Sequence, residues 1–249
     1  MPWLVIVAFM VLWELAVVLF AIKPFILPAP TVVFRSIVEW WPQIIENALQ
    51  TLFTTTAGFL IAVVFGLVGG VLIGSSTLVY NGFYPLLIGF NAIPKIAIIP
   101  ILVLWFGIGT VPAIITAFLI SFFPILVNVA TGIATVEPEL KDVLRALGAS
   151  NRQIIMKVGL PRSMPYFFAS LKVAITVAFV GSIMSETVAA NRGIGALMMT
   201  ASARFEVPLV FAGLIVTAVM GIMLYIIAEL IERRVIGWAT RGMDAPGGL

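Results

Sequence analysis

Among the ionisable side chains inside long apolar stretches of this 249-residue sequence, three stand out: Glu14, Lys95 and Glu186. A charge in such a setting is costly, so by default it lines the protein interior or a route for a polar solute. Lys95 lies between Pro94 and Pro100, each of which removes a backbone donor from a helix. A kinked or unwound turn is expected there, with polar backbone exposed to a cavity. A lysine at that turn would attract an anionic or carbonyl-rich solute; alternatively it is a structural cation paired with a carbonyl, or with a carboxylate such as Glu186. Glu186 reads as a gate, a solute contact or the partner of Lys95, and Glu14 as a packing or interhelical hydrogen-bonding group. Asn91, Ser121, Asn128, Ser182 and Ser185 add polar groups nearby, although small hydroxyls in membrane helices often bond their own backbone. Glu229 and Arg233 are spaced as an i, i+4 pair.

Other chemistry is missing. The chain has no cysteine and no histidine, which removes disulfides, thiolates, imidazole metal sites and histidine acid–base catalysis. No metal site and no intramembrane enzyme are expected. No lysine follows a glycine, so there is no G-x4-GK[ST] phosphate loop. A net charge of +3 with no basic, aromatic-interleaved face excludes a nucleic-acid binder.

The elements that position these residues are membrane helices. The chain is 62% hydrophobic and 10% charged, with mean hydropathy +1.19; soluble domains are about 45–50% apolar and about 25% charged. A bilayer core of about 30 Å takes about 20 apolar helical residues. Six segments qualify: Trp3–Ile22, Leu49–Gly74, Tyr84–Phe106, Val111–Thr135, Pro165–Val188 and Pro208–Ile231. The first lacks a basic leader and a small-residue cleavage site, and so reads as a retained span rather than a signal peptide. Residues 1–48 form the first helix and a connector, 49–232 a five-helix core, and 233–249 a tail. Lys141, Arg145, Arg152, Lys157, Arg162, Arg233, Arg234 and Arg241 fall on one side, against Lys23, Arg35, Arg192 and Arg204 on the other. That eight-to-four split places both termini and residues 137–161 in the cytoplasm.

Thr31–Glu46, after Leu27-Pro28-Ala29-Pro30, reads as a short amphipathic helix on the outer surface, either an ordinary packed connector or a gate. Trp40 and Trp41 suit the headgroup level. Gly58, Ala62, Gly66, Gly70 and Gly74 recur every four residues, letting helices approach until backbones touch. Gly213, Thr217 and Gly221 repeat the pattern. Packing within one chain and a dimer contact are both open.

The 137–161 segment parses into two short helices. Pro138 fits a first helical position with Glu137, Glu139 and Asp142 complementing the dipole. Gly148 closes that helix in a left-handed conformation, and Ser150 with Gln153 forms a capping box for a second, which ends before Gly159-Leu160-Pro161. Asp142-x5-Gly148-x9-Val158-x-Leu160-Pro161 resembles the cytoplasmic signature of binding-protein-dependent ABC import permeases, EAA-x3-G-x9-I-x-LP. The triplet is replaced by Asp142-Val143-Leu144, which keeps the acid and enlarges its neighbours. Trp13-Glu14-Leu15, Leu27-Pro28-Ala29-Pro30, Ile93-Pro94-Lys95, Leu104-Trp105-Phe106-Gly107-Ile108-Gly109, Ser185-Glu186 and Arg192-Gly193-Ile194-Gly195 are similar to the nitrate, taurine and alkanesulfonate branch of these permeases.

The resemblance implies an all-α permease in the inner membrane, with the translocation pathway at the two-fold axis of a homodimer. It implies two separate ATPase subunits, which bind ATP and Mg, and an extracytoplasmic solute-binding protein. Docking on the ATPase would fall to Glu139, Asp142, Arg145, Leu147, Gly148, Ala149, Ser150, Gln153, Leu160 and Pro161. The wording Pro94-Lys95-Ile-Ala, with Val127-Asn128 and Pro138-Glu139-Leu140, is similar to members for pyrimidine or flavin-related vitamin precursors, within a branch that handles small oxyanions and sulfonates. A stand-alone secondary transporter or channel would need inverted repeats and midplane carboxylates; no repeat is evident and carboxylates are few. A non-transporting scaffold would leave Lys95 and Glu186 without purpose.

Overall fold

The computed structural model describes residues 2–240, and every regular element among them is helical. In order these are α1 (Pro2–Leu19), α2 (Pro30–Glu39), α3 (Trp41–Gly74), α4 (Thr77–Ala92), a 3₁₀ turn (Lys95–Ile98), α5 (Ile99–Phe106), α6 (Thr110–Ala134), α7 (Pro138–Ala146), α8 (Asn151–Ile154), a π turn (Ile155–Gly159), α9 (Leu160–Ala189), α10 (Ile194–Ala203) and α11 (Val207–Thr240). Arg241 and the last part of the 233–249 tail lie outside the described residues.

Four helices are long and apolar enough to cross a membrane: α3, α6, the helix from Asn151 to Ala189, and α11. A fifth span is broken, its halves Leu78–Ala92 and Lys95–Phe106 meeting at 72°. The break is where the prolines require it. Ile93, ahead of Pro94, is extended at ψ 126°, as the clash with a following proline ring dictates. The sixth apolar element, α1, has 18 residues, at the short end for a span. Its Glu14 accepts from the Thr31 N–H (3.1 Å) and hydroxyl (2.8 Å) at the start of α2, the expected interhelical bond.

The core is α3, α6 and α9 packed together. The glycine stripe of α3 makes the first contact possible. A Cβ at Gly58 would lie 2.6 Å from the Ile114 carbonyl, at Gly66 2.8 Å from Ile125 Cβ, at Gly70 2.6 Å from Val129 Cβ, and at Gly74 2.7 Å from the Ala130 carbonyl. The stripe is therefore spent inside the chain, on α6, and the dimer alternative for it is corrected. Gly213 and Gly221 likewise face Met198 and Phe179 of the same chain.

Two expected boundaries move. Thr31–Glu46 is not one helix: the chain turns at Trp40 (φ −100°, ψ 16°) and α3 starts at Trp41, with proline in its first turn. Pro42 has no N–H to continue α2 but suits a helix start. Val33 and Ile44, on either side of the turn, are fully buried with Ile194, Ala201, Leu209 and Ala212, so the connector is packed.

The second correction is larger. No break occurs at Gly159-Leu160-Pro161; one helix runs unbroken from Asn151 to Ala189, 39 residues. The Ile155–Gly159 stretch widens to a π turn, and the Leu160 N–H reaches the Ile155 carbonyl. Widening relieves the clash that the Pro161 ring would make in a regular α-helix.

Candidate functional site

At one end of the bundle, residues 137–161 build a bent corner. Helix α7 has Glu139 in its first turn and Arg145 in its last. Gly148 adopts φ +84°, a left-handed conformation that costs other residues about 1–2 kcal/mol. A Cβ there would meet nothing within 4 Å, so conformation alone calls for glycine. The Gly148 and Ala149 N–H groups bond the Arg145 and Leu144 carbonyls, both at 2.9 Å, closing α7. The expected capping box is present: the Gln153 N–H donates to Ser150 Oγ (3.3 Å) and the Ser150 N–H to Gln153 Oε1 (2.7 Å). Arg145 pairs with Asp142 at 3.1 Å.

The corner's tip is open. Leu147 is 79% and Val143 57% exposed, one turn apart on α7, beside a groove of about 250 Å³ bounded by Leu144, Ala149, Gln153 and Val158. Glu139, Asp142, Ser150, Gln153 and Pro161 are also exposed, while Leu160 is half-buried. The tip thus presents apolar, polar and charged side chains together.

An ion pair from Arg162 to Glu137 ties the first turn of α9 to the start of α7. Glu137 is held below the usual carboxylate range, first by a hydrogen bond from its own backbone; desolvation opposes this, and the charge and hydrogen bond of Arg162 add to the lowering. A lowered carboxyl pKa means the tether is fully formed above the ordinary carboxylate pKa and is lost as pH falls through the lowered value. A spin label at Leu147→Cys is expected to report the same mobility from pH 6 to 8. Glu137→Gln should raise its mobility at pH 7, and equal mobility in both proteins would remove the tether's role.

At the 72° break, Lys95 donates to the Asn91 carbonyl (3.0 Å) and to Asn91 Oδ1 (2.9 Å). Glu186 is not its partner, and that alternative is corrected. Asn91 is exposed and Lys95 half-buried, in a segment where Phe90, Ile93 and Ile96 are all about half exposed.

Glu186 lies elsewhere, only 2% exposed, between α3, α9 and the start of α10. Its carboxylate accepts from Thr51 Oγ1 (2.7 Å), Thr54 Oγ1 (3.1 Å), the Gly195 N–H (3.2 Å) and, at 3.5 Å, Ser182 Oγ. Ser182 and Thr54 are themselves 2.5 Å apart. No cation pairs with this carboxylate among the described residues. Ser121 and Asn128 are different: they bond the Ala117 and Pro124 carbonyls of their own helix, at 2.6 and 2.8 Å. Of the expected polar set, only Lys95 with Asn91 and Glu186 with Ser182 come together.

One pair was not singled out from the sequence. Lys172 of α9 and Glu232 of α11 meet at 2.5 Å, their side chains 24% and 12% exposed. Lys172 stands alone in an apolar stretch, whereas Glu232, sixty residues on, sits beside Glu229, Arg233 and Arg234; a lone lysine inside a span was the available signal. Lys172→Met, which leaves Glu232 unpaired, is expected to destabilise the detergent-solubilised protein by roughly 3 kcal/mol. Adding Glu232→Leu should recover most of that loss in a thermal melt; no recovery would mean the charges are not coupled. Glu229 and Arg233 form the expected i, i+4 pair at 2.7 Å.

The sequence profile of a family described as "Binding-protein-dependent transport system inner membrane component" matches residues 62–237, more than half of the chain. The chain belongs to this family. The permease is 29% identical over 241 residues to the formylaminopyrimidine transport permease protein ThiX of Halalkalibacterium halodurans, covering 96% of each chain. It is 30% identical over 234 residues to the riboflavin transport system permease protein RibX of Chloroflexus aurantiacus, covering 92% of this chain and 86% of that one. Among solved structures, an inward-facing MetNI methionine ABC transporter superposes with TM-score 0.67 at 19% identity, over 79% of the permease and 98% of that chain. That likeness is one of fold.

The permease is thus a polytopic inner-membrane protein, the membrane-spanning subunit of a binding-protein-dependent importer, and not itself an enzyme. Among the described residues no cluster of histidine, cysteine or acidic side chains could hold a metal ion.

Proposed function

We propose that two copies of this permease form a homodimer enclosing the solute pathway, with an ATPase subunit docked on each α7–Gly148–α8 corner. The observation that carries this reading is the unbroken helix from Asn151 to Ala189. It joins the corner to the buried core through continuous helix, the π turn included, so a displacement imposed at α8 is carried into α9. Nucleotide binding by the partner ATPases draws the two corners together, and the α9 helices switch access from one side of the membrane to the other. The corner and both termini face the cytoplasm, in keeping with the eight-to-four distribution of basic residues. The binding protein delivers solute at the opposite end, near Arg192 and Arg204.

Lys95 and Asn91 are the pathway residues we favour, because they sit on an exposed bend rather than in the core. Ser121, Asn128 and Ser182, buried or bonded to their own helix, shape the wall. Residues 49–232 form the transporting unit, with 1–48 appended and 233–249 as a tail. The relatives named for formylaminopyrimidine and riboflavin transport support a pyrimidine- or flavin-type vitamin precursor as solute, ahead of a sulfonate or other oxyanion. Proteoliposomes carrying the permease, its ATPase and its binding protein test this directly. ATP-dependent uptake of a formylaminopyrimidine or riboflavin, with none of taurine, is expected. Uptake that persists without the ATPase would support a secondary transporter instead.

A further inference from the structure

We propose that Glu186 is a positioning residue, the centre of a latch that fixes α10 against α3 and α9 and is worked from the ATPase side through α9. The proposal rests on the coupling role given above to residues 137–161.

The bonds around Glu186 converge on one short segment. Gly193, Ile194 and Gly195 present three successive N–H groups at the start of α10, and side chains take all three. The Gly193 N–H donates to Asn47 Oδ1 (2.7 Å), the Ile194 N–H to Thr51 Oγ1 (2.9 Å) and the Gly195 N–H to Glu186 Oε2 (3.2 Å). Thr51 Oγ1 in turn donates to Glu186 Oε2 at 2.7 Å, so the bonds around Thr51 form one connected set. Asn47, Thr51 and Thr54 stand four and three residues apart, on one face of α3.

The segment is shaped for this contact. Gly193 holds φ +114° and ψ 158°, a region essentially reserved for glycine. A Cβ at Gly193 would fall 2.2 Å from Glu186 Cδ, and one at Gly195 2.5 Å from the Ile183 carbonyl. Gly193 lets backbone close on the carboxylate itself, and Gly195 lets it close on the α9 backbone beside it. A stable α3–α9 contact alone needs none of this, because an apolar residue would pack there without burying a charge. What the carboxylate adds is direction: it fixes where α10 begins.

Its place on α9 gives the latch a drive. Glu186 and the α8 corner belong to the same helix, with the ATPase surface at one end and the α10 attachment at the other. Movement of α9 relative to α3 separates Glu186 from Thr51 and Thr54, and the Gly193–Gly195 segment, whose acceptors lie partly on α3 (Asn47, Thr51) and partly on α9 (Glu186), cannot keep both sets. α10, seated by Ile194 and Ala201 against α2, α3 and α11, is then free to shift.

The test uses the full complex of permease, ATPase and binding protein in proteoliposomes, with a single cysteine at Ala201→Cys, since the native chain has none. Ala201 is 1% exposed, so a membrane-impermeant maleimide should label it slowly without nucleotide and at least tenfold faster with ATP and vanadate. Glu186→Gln and Thr51→Val should each give the fast rate without nucleotide. They should also raise ATP hydrolysis in the absence of binding protein and lower uptake per ATP at least tenfold. A merely structural role would instead reduce uptake and hydrolysis in proportion, through loss of assembled complex. Unchanged labelling and an unchanged uptake-to-hydrolysis ratio in the assembled Thr51→Val complex would overturn the latch. Absence of ATP-dependent uptake in the parent protein would instead sink the coupling assignment on which it rests.

Discussion

Replacing Gly148 by proline is expected to abolish ATP-dependent uptake and co-purification of the ATPase, while the permease still inserts at normal levels. Gly148 has φ +84°, whereas a proline ring locks φ near −65°. The substitution also deletes the N–H that bonds the Arg145 carbonyl. Both effects open the corner between α7 and α8 without touching the membrane core. Gly148→Ala is the graded companion. Space is free around the position, so only the conformational cost of about 1–2 kcal/mol applies, and uptake should fall without vanishing. Normal solute-stimulated ATP hydrolysis in the proline variant would show that the ATPase is driven through some other surface.

The largest effect on stability is expected from filling the α3 stripe. Gly66→Val together with Gly70→Val places branched side chains where a Cβ already lies 2.8 Å from Ile125 Cβ and 2.6 Å from Val129 Cβ. The Leu126 carbonyl, 2.9 Å from the Gly70 site, is backbone and cannot rotate away. Overpacking of this kind costs about 1–3 kcal/mol per site, and α6 must move as a whole to relieve it. A fall of roughly 10 °C in the melting temperature of the detergent-solubilised protein is expected, at the usual scaling for chains of this length. Gly89→Ala on α4 is the control, because nothing lies within 4 Å of its Cβ and alanine favours the helix by about 1 kcal/mol. If the control were as damaging as the double variant, the α4 face would be in contact with another copy of the chain.

The two sites were not equally legible in the sequence. Gly148, Ser150 and Gln153 act through neighbours within a few residues, and their rules need no tertiary information. The break at Lys95 was visible for the same reason, since Pro94 fixes the geometry of the residue before it. Proline also misled. Leu160-Pro161 reads as a helix stop, yet a π turn absorbs the missing donor and the helix continues; nothing local distinguishes the two outcomes. Glu186 was recognisable as an expensive residue, but Thr51 and Thr54 are more than 130 residues away in the chain, and threonine in an apolar span looks like any other small polar residue. The Lys172–Glu232 pair stayed hidden for a related reason: Glu232 has Arg233 and Arg234 as nearer candidate partners in the chain, and only the meeting of α9 with α11 joins it to Lys172. The short helix α10 leaves no signal in the sequence, because ten residues between two spans fall below the length at which periodicity is informative.

The continuous helix from Asn151 to Ala189 has a mechanical consequence. Glu186 lies 35 residues beyond Asn151, which at 1.5 Å per residue is about 52 Å of lever. A tilt of about 3° about the inner end displaces the far end by ~2.7 Å, roughly the full length of a hydrogen bond. The angle asked of the ATPases is therefore small, and the response at the far end is abrupt. Bonds that tolerate only a few tenths of an ångström fail together over that excursion, so a gentle rotation at one membrane face becomes an all-or-none release at the other.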